Sequence, residues 1–336
     1  MKKILLLSTC FLAVNLSFGQ SDKQLTHYMA DQISFNPGAT GFKGYCGTLI
    51  YRNQWFGFDG APNTVLFNAQ ANIQKVGMGV GISFMNDNIG FFSENDFKIN
   101  VAKHFEFVGA GYLSAGLGLG LINGSYVPEW LAPETGIDVT LDPNLPNADG
   151  GTSLDLNFGL FWRDADNRYY AGLSATHLAA PELDNINFKK ARHYYATGGM
   201  NITYDMLQID PRLTLKPSFL VISDLVSTTM DITAIADFRM RPEQSIYAGL
   251  SYRRKDAVAI LLGSSLDITP KSGKAGSNLG SLGSTQADVV SFGLSYDITT
   301  SNINTPSNGS LEIWANYCLF PKDPAKARYG NPFILE

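Results

Sequence analysis

The chain has 336 residues, 33 of them glycine, with 12% aromatic and only 16% charged residues, where an average globular domain carries roughly 25% charge. That balance excludes a disordered chain, which is polar and poor in aromatics, and a coiled coil, which is rich in Ala, Glu, Lys and Leu. Three cysteines are too few for a disulfide scaffold, and a formal net charge of −5 without a polybasic run gives no footprint for nucleic acid.

Lys2 and Lys3 followed by an apolar run over 4–16 and by Ser17-Phe18-Gly19 have the order of an export signal, with cleavage expected after Gly19. Loss of Lys2 and Lys3 leaves 23 basic against 30 acidic residues, a net charge of −7. Beyond residue 19 no apolar run approaches the roughly 20 residues of a membrane helix, which leaves a membrane protein built of strands. In the next segment Leu25, Met29 and Ile33 recur at helical spacing, with Asp22 as a candidate N-cap and Asn36-Pro37-Gly38 as a stop. This predicts a short periplasmic helix within an N-terminal segment 20–42, tucked under or into the main body of the chain.

From residue 43 to 320 the dominant signal is strict period-2 alternation. Met78, Val80, Ile82 and Phe84 alternate with Gly77, Gly79, Gly81 and Ser83; Leu113, Ala115, Leu117, Leu119 and Leu121 alternate with Ser114, Gly116, Gly118 and Gly120. About 14 segments read this way: 44–56, 62–74, 76–87, 94–106, 109–123, 151–163, 168–178, 191–205, 211–222, 228–240, 244–254, 256–268, 288–299 and 309–320. One face of each is apolar and the other small or polar. An even number of such strands with aromatics near their ends (Tyr51, Trp55, Trp130, Trp162, Tyr169, Tyr252, Tyr296, Tyr317) predicts an all-β fold, a transmembrane antiparallel barrel of the outer membrane in contact with lipid. Closure leaves no bare strand edge in hydrocarbon. A soluble sandwich or propeller is the competing reading, with shorter strands and no such girdles. The loops 124–150 and 179–190 suit an extracellular rim, 271–284 is Gly/Ser/Lys-rich, and 321–336 is expected as a periplasmic tail.

Glycines on the inward face leave room for bulky neighbours or an occupant. Inward Arg52, Asp155, Arg163, Arg253, Asp297 and Glu312 are either a charge ladder across the lumen or solvated wall residues, and Gln54 lies beside them. In a closed barrel the first and last strands pair. If Cys46 faces Cys318, paired numbers sum to 364, which also sets Thr48 by Asn316 and Arg52 by Glu312. Export to an oxidising compartment allows a Cys46–Cys318 disulfide; unrelated thiols at a shifted register are the alternative.

No chemistry of catalysis is expected. The four histidines, His27, His104, His177 and His193, have no metal-ligand spacing, no cysteine pair has zinc spacing, and no nucleophile elbow, P-loop or dinucleotide fingerprint occurs, so neither metal nor cofactor is expected. Ser174 and His177, three apart on a strand, are expected on opposite faces.

These residues resemble the PorP/SprF family of outer-membrane proteins associated with type IX secretion in Bacteroidetes. The likeness begins with QLTHYMADQISFN at 24–36 and Pro37-Gly38-Ala39-Thr40-Gly41. It is most specific in Tyr51-Arg52-Asn53-Gln54-Trp55-Phe56-Gly57-Phe58-Asp59-Gly60-Ala61-Pro62-Asn63-Thr64, and continues through 86–90, YAGLSATHLAAP at 170–181, Lys216-Pro217-Ser218, 249–253, 295–297 and 310–312. Asn36, Pro37, Tyr51, Trp55, Gly60, Pro62, His177 and Pro181 carry the motif; they also have a plain reading as turn and interface residues. The 271–284 stretch and the NPFILE tail depart from the family pattern. The resemblance implies a non-enzymatic role in secreting a large adhesin with a type-B C-terminal domain and retaining it at the surface, often for gliding motility, with the secretion or gliding machinery as periplasmic partner. A passive porin or a transporter of hydrophobic compounds is the alternative.

Overall fold

Each of the 14 alternating segments forms a strand, and together they close a barrel. The computed structural model describes residues 22–57, 59–129, 148–183, 186, 188–268, 288–301 and 307–319. The expected signal peptide, Trp130, the 271–284 stretch and the C-terminal tail lie outside them.

The barrel strands run in chain order: β1 (Tyr45–Asn53), β2 (Asn63–Ile73), β3 (Met78–Ile89), β4 (Phe92–Phe107), β5 (Gly111–Tyr126), β6 (Asp149–Arg163) and β7 (Tyr169–Thr176). A two-stranded hairpin, β8 (Glu182–Leu183) and β9 (Phe188–Lys189), interrupts the series. The barrel resumes with β10 (His193–Met200), β11 (Leu213–Ser223), β12 (Thr228–Arg241), β13 (Gln244–Arg253), β14 (Ala257–Asp267), β15 (Val289–Thr299) and β16 (Ser310–Leu319). Every neighbour pair is antiparallel, and β1 closes on β16 in the register whose numbers sum to 364: Cys46 faces Cys318, Thr48 faces Asn316, and Arg52 faces Glu312. A disulfide joins Cys46 to Cys318, with Cα atoms 4.1 Å apart.

Period-2 alternation produces two unlike surfaces because successive Cβ atoms leave a strand on opposite sides. On β5, Leu113, Leu117, Leu119 and Leu121 are exposed outward, while Ser114, Gly116, Gly118 and Gly120 are buried inward. Aromatics mark both ends of the outer wall: Tyr51, Tyr252 and Tyr296 near one rim, Tyr169 and Tyr317 near the other. We call the rim where β1 begins and β16 ends the terminal rim, and the opposite one the far rim.

The helix expected within 20–42 does not form over the described residues 22–42; of the two expected placements, under or into the barrel, the segment takes the second. Residues 22–43 run lengthwise through the lumen as turns, with a single 3-10 turn at Pro37–Ala39. The helical spacing misleads because its three apolar residues pack on three different walls. Leu25 joins Ile50 and Leu66; Met29 joins Tyr195, Leu220 and Leu261; Ile33 joins Tyr112, Phe161 and Tyr170. A helix has one apolar stripe; a strap enclosed on all sides needs contacts in every direction.

Candidate functional site in the lumen

The N-terminal segment and the wall that holds it form the candidate site. Its middle depends on inward glycines. Asn36 caps the 3-10 turn, its Oδ1 accepting from the Gly38 N–H at 2.9 Å while its Nδ2 donates to the Leu160 carbonyl at 3.0 Å. The turn presses on β5 and β6 so closely that a Cβ at Gly116 would strike the backbone of Pro37, and one at Gly159 would come within 2.9 Å of the Gly38 nitrogen. Thr40 sits against Gly79 of β3 in the same way. The inner glycines thus form a groove for this strap.

At the far rim a buried ion network grips the segment. Arg52 pairs with Asp297 (Nη2–Oδ2, 2.7 Å) and Glu312 (Nη1–Oε2, 3.0 Å), and Arg253 pairs with Asp231 (3.2 Å), Asp297 (3.2 Å) and Asp256 (3.4 Å). Into it the segment inserts Thr26, whose hydroxyl donates to Asp297 at 2.9 Å and accepts from Arg52 at 3.0 Å. Glu312 accepts the backbone N–H groups of Thr26 and His27 at 2.8 and 2.7 Å. Removing charges from water is unfavourable unless each finds partners; here the strap supplies several of them.

Asp155 and Arg163 are not in that network, so no single ladder crosses the lumen. Asp155 lies 3.0 Å from His177 Nδ1, and the other side of that ring, Nε2, lies 3.2 Å from Asp22 Oδ2 of the segment. Burial alone would raise the Asp22 carboxyl, but His177 and Lys190 hold it well below the usual carboxylate range. Arg163 sits toward the terminal rim, its guanidinium 4.9 Å from the Phe42 ring centre and donating to the Phe42 carbonyl at 3.3 Å. Gln54 opens the β1–β2 loop, its backbone N–H donating to the Pro62 carbonyl at 2.8 Å.

Deeper in the segment, the Asp31 carboxylate accepts from Asn68 Nδ2 of β2. The Lys43 ammonium donates to the Met29 and Ala30 carbonyls, folding the strap back before it enters β1.

The motif residues divide between rim and strap. Tyr51 faces outward and its hydroxyl accepts from Asn63 Nδ2 at 2.9 Å. Trp55 has φ 53° and donates its N–H to Ser310 Oγ at 3.0 Å. Gly60, at φ +76°, takes the left-handed conformation the loop requires there. The Pro181 carbonyl accepts the Lys190 N–H at 2.9 Å. His177 lies just past β7 with φ 56°, which turns its ring inward, on the same side as Ser174 and not opposite to it; the Ser174 hydroxyl donates instead to the Phe35 carbonyl at 2.6 Å. Sequence reading missed Asp22, Thr26, His27, Lys43, Asp231, Lys190 and His193 as lumen partners. No spacing connects them, since Asp22 and His177 are 155 positions apart.

A closed 14-strand barrel with an apolar outer face and a strapped, charged lumen is an outer-membrane barrel. Among solved structures the fold is similar to the CymD monoaromatic hydrocarbon channel, with TM-score 0.51 and 10% identity over 86% of this chain and 91% of that one. The Ralstonia pickettii toluene transporter TbuX gives TM-score 0.47 and 11% identity over 86% and 92% of the two chains. No curated protein matches the sequence. A family profile described as type IX secretion system membrane protein PorP/SprF matches residues 17–317, and the chain belongs to that family. It is a type IX secretion-associated outer-membrane barrel.

Proposed function

We propose that this barrel, exported by a signal peptide at 1–19, assists the passage of a large adhesin with a type-B C-terminal domain through the type IX system and retains it at the surface, in support of gliding motility. In this reading the terminal rim faces the periplasm and its machinery, and the far rim, with the connections 127–148 and 177–192, faces outward, which leaves the comparably long connection 268–288 on the periplasmic side. The observation that carries the reading is the filled lumen: residues 22–43 occupy the path a diffusing solute would take, held by hydrogen bonds from Thr26 and His27 to a buried ion network and by apolar contacts on three walls. A passive porin keeps that path open as an aqueous channel. The wall groups Arg52, Asp155, Arg163, Arg253, Asp297 and Glu312 would offer the same donors and acceptors to a partner segment that replaced the strap, with Gln54 at the adjoining β1–β2 loop. Affinity purification of the tagged protein from its native host tests the proposal. Recovery of a giant surface protein or of secretion components is the expected result; a partner-free monomer that conducts ions steadily in planar bilayers would overturn it.

A further inference from the structure

We infer that Asp22, His177 and His193 form a binding site for a divalent transition-metal ion of the zinc class, which clasps the N-terminal segment to the far rim. The three residues come from three separate places in the chain: the strap, the turn after β7, and the first position of β10. One ligand atom of each lies within 4.8 Å of the others. Metal–ligand bonds of 2.0–2.2 Å in a tetrahedral site place neighbouring ligand atoms about 3.3 Å apart, and His177 Nε2 lies 3.2 Å from Asp22 Oδ2.

The outer partners point the same way. A metal-bound imidazole usually gives its second nitrogen to a carboxylate or a backbone carbonyl, which fixes the tautomer and aims the other lone pair at the ion. His177 Nδ1 lies 3.0 Å from Asp155 Oδ2, and His193 Nδ1 lies 3.0 Å from the Ala191 carbonyl oxygen. Both rings therefore turn Nε2 toward Asp22. Both histidines are buried, and the loop holds His177 at φ 56°, a conformation a histidine enters only under constraint.

The charges around the site also call for a cation. Asp22, Asp155, Glu94 and Asp87 are four carboxylates; among the described residues Lys23 is 2.8 Å from Asp87 and 3.9 Å from Glu94, Lys190 pairs with Glu94 and lies 3.8 Å from Asp22, and the His177 ring stands between Asp22 and Asp155. Asp96 is balanced separately by Lys98 at 2.8 Å. Ligation through Nε2 takes the imidazoles neutral, and the divalent ion then supplies the positive charge that faces Asp22 and Asp155. Binding displaces two hydrogen bonds, from the Asp22 N–H to His193 Nε2 at 3.0 Å and between His177 Nε2 and Asp22 Oδ2 at 3.2 Å, and leaves Tyr195 donating to Asp22 Oδ2.

The test uses the full barrel purified in detergent with a tag free of histidine, stripped with chelator and titrated with Zn²⁺, and separately with Co²⁺ for its visible spectrum. One Zn²⁺ per barrel is expected. His193→Gln and Asp22→Asn are each expected to weaken uptake more than 100-fold, and Asp155→Asn, one shell out, by 10–100-fold. Heat-modified gel migration reports folding independently for each variant. Wild type that takes up no more Zn²⁺ than the folded Asp22→Asn or His193→Gln protein would overturn the inference.

Discussion

Arg52 and Glu312 face each other across the closing seam of the barrel, Nη1 3.0 Å from Oε2, and the same carboxylate accepts two consecutive backbone N–H groups of the N-terminal segment. One ion pair therefore joins the first strand, the last strand and the strap. Its strength rests on completeness, since a buried charge that loses its partner destabilises by roughly 3–5 kcal/mol.

Glu312→Ala leaves Arg52 and the Thr26 and His27 N–H groups short of acceptors. Release of residues 22–43 to protease is expected to become easier by about 3 kcal/mol, and Arg52→Ala is expected to act similarly. The double variant should fall well short of the sum because the two residues share one interaction. Rates of N-terminal cleavage in folded barrels measure all three.

Gly116→Val places a side chain where the Pro37 backbone lies, and overpacking of this kind costs about 1–3 kcal/mol. The strap should loosen, raising ion conductance in planar bilayers. Gly47→Ala is the control. It faces outward, and the nearest atom to its added carbon is the Asn68 carbonyl at 3.8 Å, so conductance should stay at the wild-type level.

Cys46→Ser removes a bond between positions 272 apart. Chain-entropy arguments assign such a link about 2–5 kcal/mol through its effect on the unfolded chain. The denaturation midpoint of the barrel should drop accordingly, with the β1–β16 register unchanged because eight further residue pairs set it. Comparing oxidised and reduced wild type gives the same quantity without a substitution.

The strands and the seam were legible in the sequence because each is written locally. Leu113 to Leu121 declare their faces by alternation alone, and once Cys46 is set against Cys318 a single sum assigns Arg52 to Glu312. The strap was not legible, for a physical reason. Leu25, Met29 and Ile33 satisfy a helical period, yet their packing partners lie far along the chain, from Ile50 for Leu25 to Leu261 for Met29, and no short window contains them. The same separation concealed the ion network. Arg253 and Asp297 could be named as inward charges, but Thr26, which bridges Arg52 to Asp297, looks like any polar residue of a short N-terminal helix. The inner glycines did carry a readable message, a wall shaped for an occupant, and the N-terminal segment was expected under or into the barrel, but as a helix and without its partners.

The strap runs directly into β1, and β1 is one side of the seam. Glu312 of the last strand holds both Arg52 of the first strand and the backbone of the strap, so the closed seam and the seated strap complete one set of bonds. The wall of this barrel and its filling are joined twice, by the chain itself and by the seam that seals it.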